Sequence, residues 1–411
     1  HPAATASEHR VRAARAQVAA STGRMLPQVE LSARQTWRTP FEPAQIALPV
    51  TLPDGSSPDP VTLGEPFDQQ QVLGVAVTQP VFAGGAVLRG REASRDVVDA
   101  RRATAEATLG DLWVGLVRAW YGLEVAGRSV DIQSEVVEAA RARGATLERL
   151  AAQGRAVEHD VATVALRVAE AEQRLAEAEE GRQSAELALA ALLGESVDPA
   201  RGDILDRARE VVDAGAPQGT SARVLEARAL ASAAKARSRA VTGALVPHVA
   251  ARFDAQYGNP DMSQFPAVTE WGTMWSASIV ASWTLDGGVR WNEARGARLE
   301  ASAALAGANA LSRQIQVDQA RLAAATDLAP GQLSLAADRV RLAEDALRAT
   351  TTAVELGRAT HIDVLDREAE LAAARQVQLK VALDSIVTVE EARVLAGHVG
   401  PTPRAPERKT P

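Results

Sequence analysis

The chain reads Gly357-Arg358-Ala359-Thr360-His361-Ile362-Asp363-Val364-Leu365-Asp366 over residues 357–366. An earlier stretch, Gly154-Arg155-Ala156 followed by Asp160-Val161, repeats this pattern at an offset of 203 residues (357 − 154). The same offset relates Gly84-Gly85 to Gly287-Gly288. One fixed offset over such a distance indicates an internal duplication, so the chain is predicted to consist of two tandem repeats.

Upstream of these glycines the offset between the two repeats is different. Leu26-Pro27-Gln28-Val29 matches Val246-Pro247-His248-Val249 at an offset of 220 residues (247 − 27). One insertion between about 38 and 71 accounts for the difference, and its many prolines together with Gly55 predict an exposed loop.

The predicted organisation has four parts. They are repeat 1 (1–197), a connector (198–219), repeat 2 (220–397) and a disordered tail (398–411). Each repeat begins with a short helix, near 5–23 or 221–243, and continues through two strands into a long helical hairpin. The predicted strands lie near 27–37, 72–82, 247–257 and 274–285, and the predicted hairpin helices occupy 86–194 and 289–397.

Composition excludes several functions. The net charge of −7 over 411 residues offers no basic surface for nucleic acid, so no nucleic-acid partner is expected. Cysteine is absent, which removes disulfides and thiolate metal sites. The chain also lacks a phosphate-binding Gly-Lys-Ser/Thr motif and a His-Glu-x-x-His motif. We therefore expect no catalytic residues, no cofactor and no metal, and an enzyme is the weakest interpretation.

The predicted strands alternate apolar and polar residues with period two. In the last strand Trp275, Ile279 and Trp283 share one face, whereas Ser276 and Ser278 share the other. A half-buried sheet of a soluble protein would show this pattern, and so would transmembrane strands with a lipid face and a wet lumen.

Five aromatic residues are candidates for the membrane interface in the second interpretation: Trp37, Tyr257, Trp271, Trp275 and Trp283. Four strands cannot close a barrel, and an open sheet edge is not tolerated in lipid. The chain must therefore oligomerise if its strands span a membrane, and three copies would supply twelve strands.

The remainder of each repeat is predicted to be helical. Residues 86–150 contain no proline and are rich in Ala, Arg, Glu and Leu. Apolar residues then recur at alternating spacings of four and three, which predicts an antiparallel coiled-coil hairpin turning at Gly154 or Gly357. Pro330 is expected to break or kink its helix.

Over roughly residues 5–398 this layout resembles the TolC family of outer-membrane channel proteins. Its strongest local marks are the Gly-Gly stretches and residues 357–366. The resemblance implies a mostly α fold with transmembrane β: a homotrimer with a twelve-stranded barrel in outer-membrane lipid above a periplasmic α-helical tunnel. It also implies two partners, a periplasmic adaptor (membrane fusion) protein and an inner-membrane transporter. The function implied is passive conduction of efflux or type I secretion cargo out of a Gram-negative cell.

The resemblance also implies the position of a channel gate. In related channels the positions of Asp363 and Asp366 form aspartate rings that narrow the periplasmic entrance, although a solvated helical face is the ordinary fate of such a pair. Four neighbours are assigned to the gate: Asp160, His159, Thr163 and Arg358. Relatives carry a basic residue two positions after the turn glycine, where this chain has Ala359, so the usual closed-state latch is not expected here.

The hairpin turns are the expected docking points for the adaptor. The candidate residues are Gly154, Arg155, Gly357, Arg358, Leu150 and Val354. His159 follows the first turn and His361 follows the second. Two helical histidines without further ligands at metal-binding spacing do not favour a metal site.

One alternative of a different class stays open from the sequence. It is a soluble periplasmic coiled-coil adaptor or scaffold protein without transport activity. The sequence does not identify the cargo, which could be a drug, a metal ion, a siderophore or a protein.

Overall fold

The computed structural model describes residues 1–41, 43–50, 52–53, 55, 58–197, 202–215, 217–264 and 268–401. This part of the chain folds into long helices and one larger sheet, which confirms the predicted class of mostly α with β. The first four residues of the predicted connector and the tail from residue 402 lie outside the described residues.

The first repeat contains a short helix, four strands and two long helices. Their bounds are α1 (Pro2–Gly23), β1 (Gln28–Phe41), β2 (Ala44–Ile46), β3 (Val61–Leu63), β4 (Phe67–Phe82), α2 (Ala86–Ala152) and α3 (Glu158–Leu193). Helix α4 (Ile204–Ala214) follows. The second repeat contains α5 (Ala222–Gly243), β5 (His248–Asn259), β6 (Gly272–Ser282), α6 (Val289–Glu355) and α7 (His361–Leu395).

Four strands form an antiparallel sheet in the order β1-β4-β5-β6, so its centre is a pairing between the two repeats. Leu31 pairs with Val75, Val75 with Ala255, and Ala255 with Trp275, which puts one apolar row across all four strands. The adjacent row carries polar residues on the other face, including Glu30. The alternation read from the sequence is therefore in phase across the sheet.

The strands of repeat 1 extend into the segment predicted as a loop. β1 continues to Phe41 and β4 begins at Phe67, with a register irregularity between Trp37 and Phe41, and β2 and β3 form a small hairpin between them. At the other end, β6 stops at Ser282 because its neighbour β5 starts at His248, which pairs with Ser282. Trp283 and Leu285, which the alternation puts in the strand, lie beyond it.

Of the break or kink expected at Pro330, helix α6 shows no break. The helix runs through this residue from Val289 to Glu355. Proline removes one backbone hydrogen bond, but in a helix of 67 residues the turns on both sides remain bonded. The neighbouring Ala329 is 2% exposed and packs in a core with Val389, which holds the helix in place.

Helix α4 lies in the connector and is amphipathic. Its apolar side packs against the long helices and forms a hydrophobic core with them. Ile204, Ala208 and Val211 are fully buried. The first two pack with Val117 and Ile386 of the long helices, and Val211 packs with Val389. Asp203 caps the helix, since its carboxylate accepts a hydrogen bond from the Leu205 amide at 3.0 Å.

The chain divides into two compact units. The helical unit consists of residues 1–11, 100–228 and 307–411, and the sheet unit consists of residues 12–99 and 229–306. Among the described residues, no helix combines the length and apolar character that a membrane span requires.

Candidate functional site

Both hairpin turns of the helical unit have the same backbone geometry. Gly154 and Gly357 each have φ of +70°, the left-handed conformation that glycine adopts without a steric penalty. The amide of Gly154 donates to the Ala151 carbonyl, and the amide of Arg155 donates to the Leu150 carbonyl, both at 2.8 Å. The second turn repeats both bonds. Helices α2 and α6 therefore each end in a Schellman motif.

The helix that follows the second turn begins with a capping box. The amide of Asp363 donates to Thr360 Oγ1 at 3.2 Å, and Asp363 Oδ2 accepts from the Thr360 amide at 2.8 Å and from its hydroxyl at 2.7 Å. The hydrogen bond from the Thr360 amide, followed by that from its hydroxyl, lowers the pKa of Asp363 below its usual value. Asp363 is thus a solvent-exposed carboxylate that is fixed in position and ionised.

The first turn has no such cap. Val157 occupies the position equivalent to Thr360 and makes no side-chain bond to the helix end. Asp160 is the counterpart of Asp363 and is half-buried, while His159 is exposed. The hydroxyl of Thr163, the counterpart of Asp366, donates to the His159 carbonyl at 2.9 Å. The residues that follow the first turn therefore differ from their counterparts after the second turn in capping and in hydrogen bonding.

Two ion pairs join α7 to repeat 1 near the tip. Arg167 Nη2 of α3 lies 3.2 Å from Asp366 Oδ1, and its Nη1 lies 3.0 Å from Glu170 Oε2. Arg143 Nη2 of α2 lies 2.6 Å from Glu368 Oε1, with the two side chains only 23% and 13% exposed. Contacts between charges on different helices constrain the position of the first turns of α7 relative to the first hairpin.

Apolar side chains pack beneath these charges. Leu147 of α2, Val164 of α3 and Leu365 of α7 form a buried cluster, and Val161 and Ile362 pack against it. The cluster and the ion pairs therefore bring residues of both repeats together around the first turns of α7, which carry Asp363 and Asp366.

The predicted docking residues differ in accessibility. Gly154, Arg155, Gly357 and Arg358 are exposed, whereas Leu150 and Val354 are half-buried. The backbone carbonyls of Leu150 and Val354 accept bonds of the Schellman turns, so these two residues have a structural task whether or not an adaptor contacts them.

The predicted interfacial aromatics lie on or beside the larger sheet. Tyr257 stacks on Trp271 with ring centroids 4.8 Å apart, and Trp275 stacks on Phe253 at 6.2 Å. Trp37 is exposed and lies near the C-terminal end of β1. Trp283 follows β6, and its Nε1 donates to the Leu245 carbonyl at 3.2 Å.

No element among the described residues covers the apolar face of this sheet. Leu31, Trp275 and Ile279 are 77%, 71% and 80% exposed. A soluble sheet would bury such side chains against another element, so this face requires an apolar environment from outside the chain.

Several relevant residues were missed in the sequence. The Thr360-x-x-Asp363 spacing is a recognised capping signature and could have been read. Trp291 is exposed in the first turn of α6, at the position equivalent to Leu88 of repeat 1, which is also exposed. Arg143 and Glu368 carry no local signal, because each is the other's partner and they are remote in sequence. The pairing of Arg167 with Asp366 is equally hidden, although Arg167 also has a local partner in Glu170.

In the described ranges, no group of three or more His, Asp or Glu side chains is placed to hold a metal ion. Nδ1 of His361 is buried without a hydrogen-bond partner, and the ring belongs to the first turn of α7. These observations add no support for a metal at the tips.

Comparison with known proteins identifies a family. The outer membrane efflux protein (OEP) profile matches residues 1–195 and 218–398, which is most of the chain. A comparison with curated protein sequences finds no match.

Solved structures with the same architecture include three outer-membrane channels. The channel OprN has a TM-score of 0.76 and 20% identity, covering 97% of this chain and 87% of its own. CusC has a TM-score of 0.78 and 16% identity, covering 97% and 89%. The open state of MtrE from Neisseria gonorrhoeae has a TM-score of 0.75 and 16% identity, covering 96% and 86%. At these identities the similarity establishes the fold alone.

Proposed function

The chain belongs to the outer membrane efflux protein family, and from that premise we propose that it is the exit duct of a tripartite system. Three copies form the duct, which passively conducts substrates from an inner-membrane transporter and a periplasmic adaptor to the outside. Membership of the family makes it an outer-membrane efflux protein with a large periplasmic helical portion, as the predicted resemblance implied.

The open edges of the larger sheet carry this proposal. Within the described part of the chain, the sheet order leaves one side of β1 and one side of β6 without a partner strand. Unpaired amide and carbonyl groups are costly in hydrocarbon, and only a closed barrel removes them. Pairing β1 of one copy with β6 of the next closes twelve strands from three copies, with the exposed apolar face toward lipid.

The helical unit supports the same assembly. Leu328, Leu335 and Leu342 recur every seven residues on α6 and are 64%, 71% and 59% exposed. The buried seam of α6 within the chain uses other positions, such as Ala329 and Ala336. A second heptad stripe without a partner indicates a coiled-coil contact with another helix, and a second copy of this chain supplies one.

The adaptor and the transporter enter the proposal through the hairpin tips. The exposed Arg155 and Arg358, held by identical Schellman turns, offer matching contact points in both repeats. Energy for transport has to come from the inner-membrane transporter, since this sequence carries no nucleotide-binding motif. Multidrug efflux and type I secretion both fit this arrangement. The soluble scaffold alternative is not favoured, because it gives no reason for the exposed apolar sheet face.

The decisive experiment is purification in detergent, followed by native mass spectrometry and planar-bilayer recording. We expect a trimer that forms conducting channels. Leu335→Glu should weaken the trimer by inserting a charge into the exposed stripe, whereas Ser334→Glu, at a neighbouring exposed position about 100° around the helix, should leave it intact. A chain that stays monomeric and does not conduct would contradict the proposed function.

A further inference from the structure

Arg167 is shared between two carboxylates at the hairpin tips. Its guanidinium lies 3.0 Å from Glu170 of its own helix and 3.2 Å from Asp366 of α7. The hydrogen bond with Glu170, and then the charge of Asp366, raise the pKa of Arg167, so the cation is firmly protonated. The positive charge therefore lies directly beside Asp366, one of the two aspartates that the resemblance to the channel family places at the gate.

Asp363 has a different environment, although it is only three residues away. Its carboxylate is held by the amide and hydroxyl of Thr360 rather than by a cation in direct contact. Arg367 attracts it at longer range but makes its own ion pair with Glu370 at 2.5 Å. Asp363 consequently keeps its negative charge, while the charge of Asp366 is offset.

The duplication shows that this pairing belongs to two different repeats. With the offset of 203, the counterpart of Asp366 is Thr163 and the counterpart of Arg167 is Glu370. Repeat 1 therefore contributes the cation and repeat 2 the gate carboxylate. Only the combination of α3 with α7 puts this cation beside the carboxylate of Asp366.

We propose that Arg167 sets the ion selectivity of the duct by offsetting part of the negative charge of Asp366, leaving Asp363 as the carboxylate of the constriction without a cation in direct contact. This inference rests on the proposed function. It replaces the basic latch residue, absent at Ala359, with a cation on the other hairpin. Because the pair joins α3 to α7, separation of the two hairpins exposes the Asp366 charge, so an opened entrance prefers cations more strongly than a closed one.

The ion pair is suited to tuning charge rather than holding the fold. The side chains of Arg167 and Asp366 are 41% and 44% exposed, and exposed ion pairs add little to stability. Replacing Arg167 should therefore change the electrostatic potential of the entrance while leaving the chain folded and assembled.

The test is the reversal potential of single trimers in a KCl gradient. In Arg167→Gln channels we expect the K⁺/Cl⁻ permeability ratio to rise at least about two-fold at low salt, and the change to shrink near 1 M salt because screening shortens the range of charges. Arg167→Lys should behave as the original protein. Adding Asp366→Asn to Arg167→Gln should reverse the increase.

Arg182→Gln is the matched control. Arg182 is an exposed arginine of the same helix, and it pairs with Glu186 at 3.3 Å within that helix. An unchanged ratio in Arg167→Gln, or an equal rise in Arg182→Gln, would overturn the inference, as would an increase that survives Asp366→Asn. Original protein that forms no channels would instead refute the proposed function, so the two failures are distinguishable.

Discussion

Thr360 and Asp363 bond each other in both directions at the start of α7, and Val157 and Asp160, the residues at the equivalent positions of repeat 1, do not. The duplicated hairpins thus share a backbone turn but differ in how the next helix begins. Because a capping box satisfies backbone donors that would otherwise lack partners, the first turn of α7 is more firmly fixed than the first turn of α3.

Exchanging the residues at positions 360 and 157 should weaken the cap of α7 and create one at the start of α3. Thr360→Val removes the hydroxyl that accepts from the Asp363 amide, and should cost about 1 kcal/mol at this helix end. Val157→Thr should stabilise the start of α3, since Asp160 already stands three residues later. Hydrogen exchange of the first turns of α7 and α3 reads out both changes. Equal exchange in the two variants and the original protein would contradict the assignment.

The capping box also predicts a pH dependence. The pKa of Asp363 lies below its usual value of 3.8, so the cap contributes stability that is present above 3.8 and is lost as the pH falls through the lowered value. We expect the difference in unfolding free energy between the original protein and Thr360→Val to be largest above pH 5 and to shrink below pH 3.8. Urea unfolding in detergent across this range measures it. If the difference in unfolding free energy instead grew as the pH was lowered, the prediction would be contradicted.

The buried pair Arg143–Glu368 should matter more than an exposed pair of the same length. Arg143→Met leaves Glu368 without its cation in a site that is 13% exposed, and we expect a loss of about 2 kcal/mol. Arg141→Met is the control, because Arg141 and Glu172 are also 2.6 Å apart but are 63% and 45% exposed, and it should cost under about 1 kcal/mol.

The double variant Arg143→Met with Glu368→Leu should recover most of the loss, since no unpaired charge remains. Equilibrium unfolding of the four proteins supplies the comparison. If the two single arginine variants lose the same stability, burial does not determine the value of these pairs.

The Gly-Gly turns should respond unequally to alanine. Gly84 has φ of +58°, and a Cβ there would lie 2.2 Å from the Gly243 carbonyl oxygen, so Gly84→Ala meets both strain and overlap. Gly287 has φ of +63° but open space around it, so Gly287→Ala should cost only the strain, about 1 kcal/mol. Thermal unfolding by circular dichroism should therefore show the larger loss for Gly84→Ala. The reverse order would contradict this packing.

Much of the fold could be predicted because its signals are local or periodic. The repeat offset located both hairpin turns, and glycine at each turn follows from the positive φ of a Schellman motif. Alternation in the strands predicted which faces are apolar. The helix does not break at Pro330, and a local rule for helix breaking does not include the packing that surrounds the residue.

The candidate site was predictable only in part. Asp363 and Asp366 were singled out by resemblance, but their different electrostatic surroundings depend on contacts that no spacing encodes. Arg167 and Glu170 form an ordinary intrahelical pair in the sequence, and the presence of Asp366 beside them requires α3 and α7 to meet.

The sequence by itself determined the duplication, the turns and the amphipathic faces, because each depends on residues that are close in the chain or repeat with a fixed period. The tertiary structure alone decided which charges cancel, which glycine has no room for a side chain and which strands remain at the edges. These properties depend on which residues from distant parts of the chain come together, and electrostatic and steric interactions act over distances in space rather than along the sequence.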